Sequence, residues 1–352
     1  MSQRPRHFWR HALLALTVGT VLALLLAEVC GRMRQIDLRS IGSSLWWQSV
    51  DVEACRVSEE PFLHYELAPG TALTKEGPWG RYRITVNAQG ARGGPPSDEK
   101  PPDTLRLLCF GGSSMFGAGV SDQQTVCAYL ARQLEARGAT PAHVQPWNFG
   151  TNAYNLAQMA YLARARIPEL QPDLVLVLLS NTGRRAFLLT PEARAGDFSA
   201  ARGMDGWLHE ENLPTPSGIS PSLYRLGLRH SALARAWAGH LALRQHGTGP
   251  ESPAGDALSR AQAALLTADC EQRHLPLLYA AIPAAFHFKP ADVHPGLAEQ
   301  RFFALRDERQ PQAYKEVHPP PGILDEWARR IAEALVARGM VQTAVPEPGA
   351  QP

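Results

Sequence analysis

The chain reads as an α/β protein: a parallel β-sheet covered on both faces by helices, behind a single N-terminal transmembrane helix. Three features predict this. Leu174–Leu179 is apolar throughout rather than alternating, as a strand buried on both faces is, and Leu105–Phe110, apolar but for Arg106, and Leu277–Ile282 read as further strands. Helical patterns separate them, so the strands recur in β-α-β units. At the N-terminus, Ala12–Ala27 is apolar apart from Thr17, Gly19 and Thr20. That run approaches the length needed to cross a bilayer.

Phe8 and Trp9 precede the apolar run, as interfacial aromatics do. Phe8–Val29 extends the span if Arg10 snorkels. A buried core helix would show a polar face, and this segment has none. A cleaved signal peptide would need a small-x-small site, and none follows cleanly; Glu28-Val29-Cys30 is a poor lipobox. Residues 1–30 are therefore expected to be a short tail and an uncleaved signal anchor. Arg4, Arg6 and Arg10 lie before the span and Arg32, Arg34 and Arg39 after it, so charge hardly decides orientation. The short tail favours a cytoplasmic N-terminus. The expected location is the cell membrane, single-pass, with the bulk of the chain outside the cytoplasm.

Residues 31–103 form a juxtamembrane region with Trp46, Trp47 and a short strand near residue 81, closing in a Pro/Gly-rich linker. The main domain is expected over 104–340. After its first strand a helix is marked by Ser121 and Gln124 at capping-box spacing. Val126, Tyr129, Leu130 and Leu134 form its apolar face, and Gly138 ends it. Trp147–Gly150 reads as a second strand end and Leu156–Ile167 as a helix. An insertion is expected at about 183–257, with one helix over Ser222–Arg244. Ala257–Arg273 reads as helix, Phe286–Pro311 as a loop over the strand ends. Gly322–Arg338 is amphipathic, with Ile323, Trp327, Ile331 and Leu335 in one stripe. Residues 341–352 are polar and Pro-rich, hence expected to be disordered.

Composition narrows the function. The chain has 352 residues, 45% of them hydrophobic, enough for a sizeable core. A net charge of +2 gives no electrostatic footprint for nucleic acid. The five cysteines, at 30, 55, 109, 127 and 270, lack metal-ligand spacing, and no zinc, haem or other cofactor motif is present. Cys109, inside a strand pattern, reads as a small hydrophobe.

The chemistry concentrates in Gly111-Gly112-Ser113-Ser114, the turn between the first buried strand and the next helix. A serine on such a turn is held at the carboxyl edge of the sheet, beside backbone N–H groups and the positive end of a helix. That suits a nucleophile, because the same donors stabilise an oxyanion. A phosphate loop would place Lys before the Ser, and here Gly112 stands there. By itself the turn also fits a plain βα connection. Asn148-Phe149-Gly150, Ser180-Asn181 and His318-Pro319 fall at other predicted strand ends or loops. Such edges are where ligands bind in parallel α/β sheets.

Taken in order, these segments resemble the blocks of the SGNH hydrolases, the GDSL esterase/lipase family. Gly111-Gly112-Ser113-Ser114 is similar to the first block, and Phe116–Val120 to the stretch directly after that block. Asn148–Gly150 resembles the second block, Pro172–Asn181 the third, and His318-Pro319 the last. Ile84–Arg92 is similar to a segment preceding the domain in membrane-anchored members. The resemblance covers roughly residues 80–340. It implies a flavodoxin-like three-layer sandwich. It also implies roles: Ser113 as nucleophile ahead of its neighbour Ser114, His318 as general base, and Ser113 N–H, Gly150 N–H and Asn181 as the oxyanion hole. Asp292-Val293-His294-Pro295 is a second His-Pro site, ranked lower because no helix follows it directly. The sequence departs from the pattern at Leu179, Thr182 and Lys315. Lys315 stands where the family has the Asp that orients the His, and an ammonium there disfavours imidazolium. Glu316 is the neighbouring candidate for the orienting group; a backbone carbonyl is another.

The resemblance implies a membrane-anchored serine esterase or O-acyltransferase. Its substrate would be an ester-bearing glycan or lipid of the cell envelope. The competing expectation is a catalytically degenerate subunit of this fold that binds glycan or assembles with envelope protein partners. The anchor reading is testable directly. Membranes washed at alkaline pH should retain the full chain and lose a chain truncated to begin near residue 40; release of the full chain would count against an anchor.

Overall fold

The computed structural model describes residues 6–34, 52–60, 62–63, 65–94, 99–152, 154–180, 216, 218–246, 253–283, 288–305 and 318–344. Contacts divide the chain into two compact units, Met1–Leu45 with Gly206–His246 and Trp46–Asp205 with Gly247–Pro352. Trp46 and Trp47 lie outside the described residues, as do most of the insertion before residue 216 and the chain from 345.

The larger unit is built on five parallel strands: β5 (Thr104–Gly111), β7 (His143–Asn148), β8 (Leu174–Leu179), β9 (Leu277–Ala281) and β10 (Phe302–Ala304). Their order across the sheet is β10-β9-β8-β5-β7. Numbered from β5 along the chain, that is 2-1-3-4-5, the flavodoxin-like order. Cys109 lies opposite Asn148, Gly111 opposite Leu178, and Leu179 opposite Ala281, so these strands end near one edge. β5, β8 and β9 are buried along their whole length, which is why their sequences are largely apolar; Arg106, the charged residue of β5, donates from Nε to Gln145 Oε1 at 2.8 Å. Pro146 is tolerated in β7 because β7 is an edge strand.

Right-handed crossovers fix where the helices go. β5 leads through α3 (Val126–Ala136) to β7 on one side. β7 then returns through α4 (Leu156–Leu170) to β8 on the other, so α4 covers the opposite face. α7 (Pro253–Gln272) packs on α4, and α9 (Pro321–Ala337) packs on α3. The result is a helix–sheet–helix sandwich, as expected. α4 opens with a capping box: Asn155 Oδ1 accepts from Gln158 N at 3.0 Å and Gln158 Oε1 from Asn155 N at 3.2 Å.

Two strand pairs precede the five-stranded sheet. β1 (Cys55–Val57) pairs with β2 (Tyr65–Leu67), and β3 (Ala72–Gly77) with β4 (Gly80–Thr85), both antiparallel. Ala54, Leu67, Tyr82, Ile84 and Val86 bury together with Phe116 and Ala118, residues of the serine turn. Among the described residues, which include all five cysteines, there is no disulfide, and Cys109, Cys127 and Cys270 are buried. Burial pushes the Cys109 thiol well up and the Cys270 thiol up to about 12, so neither is a thiolate near neutrality.

The smaller unit contains α1 (Arg6–Met33), α5 (Pro221–His230) and α6 (Ala232–His246). Within α1, Trp9–Met33 is the one helical segment among the described residues long and apolar enough to cross a membrane, and its most apolar stretch is unburied.

Four local expectations differ from the structure. The single helix over Ser222–Arg244 is two helices, because Ser231 is extended and its hydroxyl caps the second by accepting from Ala234 N at 3.1 Å. The loop expected over Phe286–Pro311 contains a short helix, α8 (Pro290–Val293), and a fifth strand, β10. The Ser121–Gln124 capping box is present but holds a 3₁₀ turn; the helix proper begins at Val126 behind the N-cap Thr125. The tail from Val341 starts with β11 (Gln342–Thr343), which pairs with β6 (Ala139–Thr140), so the chain is structured to Ala344.

Candidate active site

β5 ends at Gly111, and a one-turn helix, α2 (Ser113–Phe116), begins two residues later. Ser113 is its first residue and is half-buried; Ser114 is 3% exposed. The first N–H groups of a helix have no acceptor within it, so the N-terminus that carries Ser113 is a donor site. A left-handed Gly117 (φ 87°) closes the helix, donating to Ser113 O at 2.9 Å. A single turn does not stand alone, since nucleation costs more than one hydrogen bond returns. Outside groups hold it.

The main support is Arg92, 2% exposed. Its Nη1 donates to Phe116 O and Gly117 O, both at 2.8 Å, and its Nη2 donates to Val120 O at 2.5 Å. Its Nε donates to Asp122 Oδ1 at 2.9 Å. Asp122 Oδ2 in turn accepts from Thr85 N at 3.0 Å and Thr85 Oγ1 at 2.7 Å. The guanidinium also lies 4.3 Å from the centroid of the Phe116 ring. Arg92 N donates to Asn148 O at 2.8 Å, joining this segment to the end of β7.

Asn148 completes the clamp. Its Nδ2 donates to Met115 O at 2.9 Å, and its Oδ1 accepts from Gly150 N at 2.9 Å. The Gly150 N–H expected at an oxyanion is therefore engaged by Asn148. What Gly150 supplies in this state is close approach: a Cβ there would stand 2.3 Å from Phe116 N. Gly111 is equally tight, its Cβ position 2.4 Å from Met115 Cβ. Thr151 N donates to Gly111 O at 2.9 Å. The first two blocks thus meet, with Ser113 and Gly150 on facing segments.

His318 is half-buried and lies three residues before α9. Gln133 Nε2 donates to Asp325 Oδ1 at 2.9 Å, and Arg137 Nη2 to Glu333 Oε1 at 3.0 Å. α9 therefore runs in the direction of α3. α3 starts beyond the carboxyl end of β5, so α9 starts at that same edge, where Ser113 is. His294, the second His-Pro histidine, is 6% exposed. Its Nδ1 is 3.0 Å from Pro295 O and its Nε2 3.0 Å from Thr267 Oγ1, the environment of a core histidine. Asn181, Thr182, Lys315 and Glu316 lie outside the described residues.

The loop after β7 is tied down from the N-terminal side. Tyr65 Oη donates to Asn152 O at 2.7 Å, Gln158 Nε2 to Leu63 O at 2.9 Å, and Tyr154 Oη to Tyr65 O. Burial pushes the Tyr154 phenol well above its ordinary value, so it stays a donor. Among the described residues, no group of three His, Cys, Asp or Glu side chains is placed to hold a metal ion. Nothing in the local sequence marks Arg92, Asp122 or Asn148 for these contacts. A buried-arginine role was hidden because its acceptors are mostly backbone carbonyls.

The chain is similar in fold to solved structures of ester hydrolases. One is the lipase/acylhydrolase from Enterococcus faecalis, at 13% identity over 69% of this chain and 100% of that one, with a TM-score of 0.31. Another is a catalytic mutant of Axe2, an acetylxylan esterase from Geobacillus stearothermophilus, at 14% identity over 66% of this chain and 93% of that one, with a TM-score of 0.24. No family model and no curated protein matches the chain. The α/β fold that the SGNH resemblance implies is present, and it rests on the strand order and registers given above.

Two substitutions test this architecture. Gly150→Ala forces a methyl group into the α2 backbone and should destabilise the fold by about 2 kcal/mol or more. Unchanged thermal unfolding would mean the segments are further apart. Arg92→Met leaves Asp122 and three carbonyls buried without their donor. It should cost about 3–5 kcal/mol, lowering Tm on the order of 10 °C. A wild-type Tm would remove Arg92 from the centre of the site.

Proposed function

We propose that the chain is a membrane-anchored serine ester hydrolase or O-acyltransferase of SGNH type. It acts outside the cytoplasm on acyl or acetyl esters of envelope glycans or lipids. The observation that carries this reading is Ser113. It is the half-exposed serine of a one-turn helix, placed where the sheet order reverses, with Ser114 turned into the core. The extracytoplasmic location and the envelope substrate rest on the apolar α1 and on the sequence resemblance.

In this mechanism Ser113 Oγ attacks the ester carbonyl carbon as His318 takes its proton. The carbonyl oxygen becomes an oxyanion, held by Ser113 N–H and the Asn181 side chain. Gly150 acts by letting the two loops approach; its N–H joins the oxyanion hole only if it leaves Asn148. Collapse of the tetrahedral intermediate expels the alcohol, which takes the proton from His318. The acyl group remains on Ser113. Water as acceptor gives hydrolysis, and a sugar hydroxyl gives acyl transfer. Glu316 or a backbone carbonyl orients the imidazole in place of the family's Asp. Lys315 favours the other reading, a binding subunit of the same fold, because its ammonium opposes the imidazolium that turnover requires.

A fluorophosphonate probe decides between them on the full chain in detergent. Labelling should map to Ser113 and vanish in Ser113→Ala, with ester turnover falling by several powers of ten. Label on Ser114, label retained in Ser113→Ala, or no label at all would overturn the assignment.

A further inference from the structure

Glu28 is an acidic residue inside the candidate span, five residues before its end. Its carboxylate does not face lipid alone. It accepts from Ser231 Oγ at 2.8 Å, Ala232 N at 3.0 Å and Leu233 N at 3.1 Å, the first groups of α6. Arg32, one turn further along α1, donates to Glu28 Oε1 at 2.8 Å and to His230 O, the last residue of α5, at 2.6 Å. The pair thus grips the corner between α5 and α6. A carboxylate in a span is costly unless paired, and here every partner belongs to this corner or to Arg32. Five residues of helix rise about 7.5 Å, so the corner sits at the level where hydrocarbon gives way to headgroups.

The hairpin held there is amphipathic outward. Tyr224 and Leu228 are buried, and Tyr224 stacks edge-on against Trp237 with ring centroids 6.3 Å apart. The opposite face of α5 carries Leu223 and Leu226, one turn apart and 66% and 55% exposed. Ile219, just before the helix, is also exposed, as is much of Trp237. Arg225 and Arg229 are exposed along the edge of the apolar face. Apolar residues on one side with arginines beside them are what an interfacial helix presents to lipid.

We infer that the α5–α6 hairpin is a membrane-interface element. The Glu28–Arg32 clamp locks it to the end of the anchor. Ile219, Leu223 and Leu226 enter the boundary between headgroups and acyl chains, and Arg225 and Arg229 face anionic phosphates. The occupant of this apolar face is a bilayer, because the clamp fixes the hairpin at the mouth of the span. The inference rests on α1 spanning the membrane.

The test uses the full chain in vesicles of phosphatidylcholine and phosphatidylglycerol. An NBD fluorophore is placed at Leu226→Cys or Leu223→Cys, with the unsubstituted protein labelled in parallel to subtract native thiols. Shallow doxyl-labelled lipid should quench the added fluorophore at least twofold. Glu28→Gln, which keeps the side-chain shape and discards the charge, should reduce that quenching by half or more. Circular dichroism matching the wild type shows that each variant folds. Four results count against the inference. Absent quenching with the protein retained after an alkaline wash means the hairpin stands off the membrane while the anchor holds. Release by the wash means the anchor reading itself fails. Absent quenching with cysteine cross-links between chains means a second copy covers the face. Quenching that Glu28→Gln leaves unchanged removes the clamp from the proposal.

Discussion

The buried ion pair of Arg92 and Asp122 is the constraint on which the candidate site depends. Both side chains are almost wholly excluded from water. Such a pair is tolerated only when the remaining donors and acceptors are also satisfied, and here they are. Three carbonyls of the 116–120 turn, the Thr85 backbone and the Thr85 hydroxyl take up the rest. Arg92 thereby fastens three separate pieces: the end of β4 through Asp122, the turn after α2 through its guanidinium, and the end of β7 through its backbone N–H. The N-terminal strand pairs are accordingly part of the larger unit rather than a spacer between it and α1. Phe116 shows the same thing from the apolar side, packed in the cluster that Tyr82 and Ile84 form.

The sheet was legible because burial on both faces leaves a simple mark. Leu174–Leu179 has six consecutive apolar residues and is a strand over those six. β10 was not legible, because three residues carry no period and Phe302–Ala304 owes its conformation to pairing with β9. The break at Ser231 has a comparable cause. Ser222–Arg244 reads as one helix locally, and the chain turns there because a carboxylate some two hundred residues earlier receives the N–H groups of Ala232 and Leu233. Tertiary capping of that kind leaves no local signal.

Within the site, legibility divides by the kind of bond. Ser113 could be found because a nucleophile turn needs small residues at particular places, and Gly111 and Gly112 supply them. Gly150 could be found too, as a glycine at a strand end. Its service to the structure could not, since it depends on how near Phe116 N comes. Arg92 stood in a segment whose resemblance was visible while its role was not. Its acceptors are carbonyls, which every sequence has everywhere, and one aspartate 30 residues on.

The serine turn therefore owes its geometry to groups that take no part in bond-making. α2 is one turn long, too short to be stable by itself. Its last carbonyls point at Arg92 and at Asn148 Nδ2, whose donors are fixed before any ligand arrives. Preorganised donors of this sort cost nothing at the moment of reaction, and the same holds for the backbone that presents Ser113. The alternation of exposure along the turn follows. With Met115 and Phe116 drawn down by Asn148 and Arg92, helical geometry rotates Ser114 into the core and leaves Ser113 at the rim. Two adjacent serines of identical chemistry are thus made unequal by a cation and an amide on the far side of the helix. The discrimination between them is a property of packing, expressed at the site.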